Sequence, residues 1–244
     1  MVENVVARRR TELLLVLGLS LGQSAVYSIV DIVAKLTRGP LSGQTTALNT
    51  QASPRAWLDV TYQLLGIFFA LIIVAMAYHL LSRDPGRPQL VLGLAPRRLG
   101  FDLGGGALLA AVIGLPGLAF YYFAVWLGIN TEVTTSGLRQ AWWAVPILIL
   151  SAIQNAILEE VIVVGYMITR LRQMRWSVPA TIAASALLRG SYHLYQGFGG
   201  FLGNVVMGVV FALVFLRWRR VGPLIVAHSL LDIVAFVGYQ LFLS

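Results

Sequence analysis

Residues 147–170, ILILSAIQNAILEEVIVVGYMITR, read as one long apolar helix with two adjacent acids, Glu159 and Glu160, in its middle. A charged side chain in hydrocarbon costs at least ~2.5–3.5 kcal/mol on insertion scales, so acids at that depth face a polar interior and mark function. At 1.5 Å per residue the pair lies ~15 Å along the helix from Arg170, well inside a bilayer. Two later apolar runs carry His193 and His228, and Asp232 follows the second histidine by one turn. Acids and histidines on three separate apolar segments point to one buried site.

The rest of the chain agrees with a membrane setting. Of its 244 residues 58% are hydrophobic and only 11% charged, with a mean hydropathy of +0.79. Soluble domains carry roughly 25% charged residues, so the expected fold class is an all-α polytopic membrane protein. Apolar runs near 13–36, 62–82, 102–128, 141–170, 178–197, 201–216 and 222–243 predict seven transmembrane helices in one bundle, a single domain over 1–244. The first run is too long, and lacks a small-residue cleavage site, for a removable signal peptide. The polar stretch 37–60 reads as a loop with a short interfacial helix near Trp57, and Leu90–Leu94 as an interfacial piece of the 83–101 connection.

The net charge of +8 is topological. Of 18 Lys and Arg, 13 fall at Arg8–Arg10, between Arg83 and Arg98, at Arg170, Arg172 and Arg175, and at Arg217, Arg219 and Arg220. With seven helices all four groups share one side, which predicts a cytoplasmic N-terminus. The expected partners are therefore membrane lipid and membrane-associated proteins, and no nucleic acid. The absence of cysteine excludes disulfides and thiolate metal sites.

Each polar group has a bland reading and a chemical one. Glu159 and Glu160 could be a hydrogen-bonded structural pair, but a buried carboxylate is also the usual general base. Neighbours on a helix point about 100° apart, so one addresses a site while the other pairs with a cation. Arg189 needs such an acid partner, and Glu160 is the expected one. His228 and Asp232, at i and i+4, share one helix face, where an Asp can fix the tautomer of a His or join it on a metal.

Three segments, Glu159-Glu160 to Val164, Arg189-Gly190-Ser191-Tyr192-His193 and His228-Ser229-Leu230-Leu231-Asp232, resemble in order and spacing the motifs of the CPBP intramembrane proteases. That family includes CAAX prenyl endopeptidases and bacteriocin-processing, Abi-type proteins, and the resemblance covers about residues 140–240. Its usual motifs are Glu-Glu-x-x-x-Arg, Phe-x-x-x-His and His-x-x-x-Asn or Asp. Val164 stands here for the first-motif arginine and Arg189 for the second-motif phenylalanine.

The resemblance implies an intramembrane endopeptidase acting on a membrane-associated protein or peptide. By position Glu159 is the activating carboxylate and His193 polarises or holds the attacking water, while His228 with Asp232 completes the site and stabilises the oxyanion. Glu160 belongs to the same catalytic set, with Arg189 as a supporting ion pair. A divalent metal such as zinc on His193, His228 and Glu159 is one option it leaves open; a glutamate acting unaided is the other. The two departures raise the alternative of a catalytically inactive partner subunit of a membrane assembly. Because 17 of the 18 basic residues are arginine, a GC-rich bacterial source and a plasma-membrane location are expected. Straight helices also place His193 and His228 at different depths, so their convergence requires tilt, a broken helix or shifted boundaries.

Overall fold

A computed structural model describes residues 2–95, 98–134 and 142–242. Ten α-helical segments run in the order α1 Val2–Gly18, α2 Leu21–Arg38, α3 Ala56–Ser82, α4 Pro88–Val91, α5 Leu99–Trp126, α6 Ala144–Glu159, α7 Met167–Gln173, α8 Val178–His193, α9 Phe198–Trp218 and α10 Gly222–Phe242. A π-helical stretch, Glu160–Tyr166, joins α6 directly to α7. Residues 140 and 141, where the apolar pattern begins this run, lie outside the described residues. The only strands among the described residues, β1 Thr45–Ala47 and β2 Glu132–Thr134, pair in parallel between loops.

Burial separates the helices by role. In the most apolar 18-residue windows, α3 is 11% and α5 only 6% buried, whereas the continuous α6–π–α7 unit is 67% buried. The first two therefore present their apolar surface outward, as lipid-facing helices do, while the unit that carries the acids runs through the middle of the bundle. Among the described residues, four helices are long and apolar enough to cross a membrane, or five if α1 and α2 form one bent span. This makes the chain a multi-pass membrane protein, with fewer qualifying spans than the seven runs of the sequence. The difference lies in α8 and α10. Sixteen residues of α8 rise only ~24 Å, short of the ~30 Å hydrocarbon core. Helix α10 has 21 residues, and only its part Gly222–Val237 enters that count.

Other sequence boundaries shift for local reasons. The first run breaks between α1 and α2 by 50°. Ser20 caps the break by donating its hydroxyl to Val16 O at 2.6 Å. Residue 22 must be glycine there, because a Cβ would sit 2.6 Å from Leu17 O. Trp57 belongs to the first turn of α3 rather than to a separate interfacial helix. Within Leu90–Leu94, Leu92 is fully buried whereas Leu90 and Leu94 are exposed.

The four basic segments gather at one end of the bundle, where acids interlock them. Arg170, 1% exposed, donates to Glu12 at 3.1 Å, to Leu80 O at 2.8 Å and to Asp84. Arg9 adds a 3.1 Å bond to Asp84. Arg220 grips Asp102 with two bonds of 2.7 and 2.5 Å, joining the α9–α10 turn to α5. Burial pushes the Asp84 carboxyl up, but hydrogen bonds and charge from Arg9 and Arg170 outweigh it and hold it below its usual range.

Asp84→Asn is expected to lower the thermal unfolding temperature by several degrees, since a charge-assisted bond to a buried arginine is lost. The sign with pH follows from the lowered folded value. Asp84 contributes stability above its unfolded pKa of about 3.9 and loses it as pH falls through the lower folded value. The gap between wild type and variant should therefore shrink on acidification below pH ~4; a gap independent of pH contradicts this.

Candidate active site

The site forms where the central helix changes pitch. The π stretch begins at Glu160, so the two glutamates straddle the junction between α-helical and wider i→i+5 turns. Glu160 is fully buried and Glu159 is 9% exposed. Their carboxylates turn to different partners, as neighbours on a helix must.

Glu160 Oε1 accepts from Arg189 Nη2 and from His228 Nδ1, the latter at 2.7 Å. A carboxylate only accepts, so the proton of this bond sits on His228 Nδ1. The other oxygen, Oε2, is buried without a hydrogen-bond partner. Asp232 Oδ2 lies 3.6 Å from His228 Nε2. Glu159 Oε2 accepts from the Tyr192 hydroxyl at 2.7 Å, lies 3.5 Å from Arg189 Nη1 and 3.8 Å from His193 Nε2. His193 Nδ1 meets Gln196 Nε2 at 3.3 Å. With that amide donating, a neutral imidazole carries its proton on Nε2, which is buried and otherwise unpartnered.

All six residues singled out by sequence thus lie along one chain of contacts across α6, the π stretch, α8 and α10. They fall into two groups, Glu159–His193 and Glu160–His228–Asp232, and Arg189 touches both glutamates.

The depth mismatch disappears because α10 starts deep. Val221 N donates to Leu92 O at 2.9 Å, and both residues press on Gly165, where a Cβ would meet Leu92 Cδ2 at 2.7 Å and Val221 Cγ1 at 3.1 Å. The start of α10 is therefore level with Gly165, one turn from Glu160, and not with the end of α7. From there His228 reaches Glu160.

Ligand atoms of Glu159, Glu160 and His228 lie within 4.8 Å of one another, the spacing a metal ion needs, and His193 stands outside that group. The group does not fit a divalent ion as it stands, because the Arg189 guanidinium occupies the same oxygens. At about 4 Å and an effective dielectric of ~20, a +1 and a +2 charge repel by about 8 kcal/mol. That is a large part of the ~10–16 kcal/mol that structural zinc binding supplies.

Several residues of the site are absent from the sequence reading. Tyr192, beside His193 and one turn from Arg189, holds Glu159. The turn after His193 is fixed from the opposite end of the bundle to the basic one. Ser28 Oγ accepts from Tyr195 N at 2.6 Å, and the buried Lys35 donates to Tyr195 O. Thr131 donates to Gln196 O through its amide at 2.9 Å and its hydroxyl at 2.8 Å. Lys35 is itself held by Thr46 Oγ1 at 2.8 Å and Asp31 at 3.0 Å. The signal available in the sequence was Lys35, the single lysine of the chain, set in an apolar run.

Residues 141–234 match the family model described as Type II CAAX prenyl endopeptidase Rce1-like. No curated protein and no solved structure matches the chain.

Lys35→Met is expected to release Tyr195 O and loosen this turn. Backbone amide exchange in peptides spanning residues 194–197 should then accelerate several-fold, while peptides from α9 stay unchanged. Equal exchange in both proteins would show that Lys35 does not hold the His193 turn.

Proposed function

We propose, on the premise that the match over residues 141–234 supports membership of the CPBP family for this chain, that it is an intramembrane endopeptidase cleaving a membrane-associated protein or peptide. The observation that carries this reading is the 3.8 Å gap between Glu159 Oε2 and His193 Nε2, the nitrogen being buried and unpartnered. In this reading a water admitted with the substrate bridges the two, facing a general base on one side and an imidazole on the other.

Glu159 takes the proton of that water as its oxygen attacks the scissile carbonyl, and returns it to the leaving amine. Tyr192 and Arg189 hold the Glu159 carboxylate in one orientation. His193 orients the water, and His228, steadied by Glu160 and Asp232, faces the oxyanion that develops. With Arg189 in place, the arrangement favours activation by the glutamate unaided. In this reading the chain crosses a bacterial plasma membrane seven times with its N-terminus cytoplasmic. The gathering of basic segments at one end supports that orientation. A prenyl-specific substrate is not expected in a bacterium.

A second reading rests on the two motif departures. Val164 is fully buried in the core and Arg189 occupies Glu160, which is how a site kept for assembly rather than chemistry would look. In that case the chain is a non-catalytic subunit of a membrane complex.

Glu159→Gln separates the two. New peptide termini compared in native membranes of wild-type and variant cells should include a set that depends on Glu159, with cleavage lowered roughly 10²–10⁴-fold and the fold retained. Identical termini reject the protease. A stoichiometric partner whose association survives changes at Glu159, His193 and His228 supports the subunit reading.

A further inference from the structure

We infer that Arg189 is the resident cation of this site, holding the position between Glu159 and Glu160 that a divalent metal would otherwise take, so that the wild-type chain does not bind zinc there. The inference stands whether or not the site cleaves peptides. Its basis is the juxtaposition of a three-residue group with metal-ligand spacing and a guanidinium that touches two of its three members. Nη2 donates to Glu160 Oε1, the same oxygen that His228 uses, and Nη1 lies 3.5 Å from Glu159 Oε2. An arginine cannot deprotonate to make way for a metal, so the two cations are mutually exclusive.

The surroundings are built for this arginine. Its side chain is 0% exposed, and its guanidinium carbon lies 5.2 Å from the centroid of the Phe211 ring, within cation–π range. Residue 208 faces its stem from α9, and a Cβ there would come within 3.3 Å of Arg189 Cδ and 2.8 Å of Ala186 Cα. Gly208 therefore leaves the room that the stem needs. Removal of the charge leaves two buried carboxylates and an imidazole with no counter-ion, which is a divalent-cation site with a carboxylate and histidine donor set.

The test is equilibrium dialysis of the purified full-length chain in detergent against Zn²⁺, with elemental analysis, and against Co²⁺, with visible absorption. The wild type should retain no stoichiometric metal at this site. Arg189→Met should bind about one ion per chain with tetrahedral Co²⁺ bands, and Arg189→Met with His228→Ala should lose it. Arg189→Lys, which keeps the charge, should stay metal-free. Wild-type binding of one ion that disappears in His228→Ala overturns the inference, and this measurement needs no folded arginine variant. A folded Arg189→Met that binds nothing, or an Arg189→Lys that binds as Arg189→Met does, overturns it as well.

Discussion

A carboxylate with no exposure at all, on the central helix of a membrane bundle, has to be neutralised by something the chain itself supplies. Glu160 is that carboxylate, and Arg189 with His228 is the supply. An isolated buried charge is far too costly to retain, and breaking a buried pair by removing one partner typically costs about 3–5 kcal/mol. The constraint reaches outward from there. Arg189 must approach from α8, so α8 must pack closely on α9 at Gly208. His228 must approach from α10, so α10 must begin at the level of Gly165 rather than at the membrane face. The π stretch lies where both approaches meet.

With Glu160 committed to Arg189 and His228, Glu159 is the acid that the proposed chemistry has to use. It is steadied by the Tyr192 hydroxyl and by the edge of the same guanidinium. The Glu159–His193 distance is then set from elsewhere. His193 sits at the last residue of α8, and the turn beyond it hangs on Ser28 and Lys35 of α2 and on Thr131 of the loop before β2. The matched region 141–234 contains Glu159, Glu160, Arg189, His193, His228 and Asp232, while Ser28, Lys35 and Thr131 outside it hold the turn after His193. The opposite end has its own clamp, in which Asp84 and Glu12 bind Arg170 and keep α1, α3 and α7 together.

Membrane character, the gathering of the basic segments and the polar residues worth attention were legible from composition and spacing. The Arg189–Glu160 contact followed from scarcity, since a deep arginine had few deep acids to meet. Other features carried no local signal. The pitch change at Glu160 has no glycine or proline beside it on the α6 side, where Pro146 lies fourteen residues earlier. The partner of Asp102 is Arg220, 118 positions away, and the depth of α10 depends on Leu92 wedging under it. Both are long-range facts that an apolar pattern cannot carry. Tyr192 carries no signal of its own in the sequence, because a tyrosine in an apolar helix is usually packing. The paired strands were invisible because three residues of each make no periodicity.

The central claim is that the Glu160–Arg189 pair organises the site. A double-mutant cycle on thermal unfolding in detergent tests it most directly, with Glu160→Gln, Arg189→Met and both together. Each single change should destabilise strongly by stranding a buried charge. The double variant removes both charges of the pair and leaves only Glu159 without the guanidinium, so it should lose less than the sum, with a coupling of at least ~1–3 kcal/mol. Additive losses would mean that the two side chains do not depend on each other, and would contradict the account at its base.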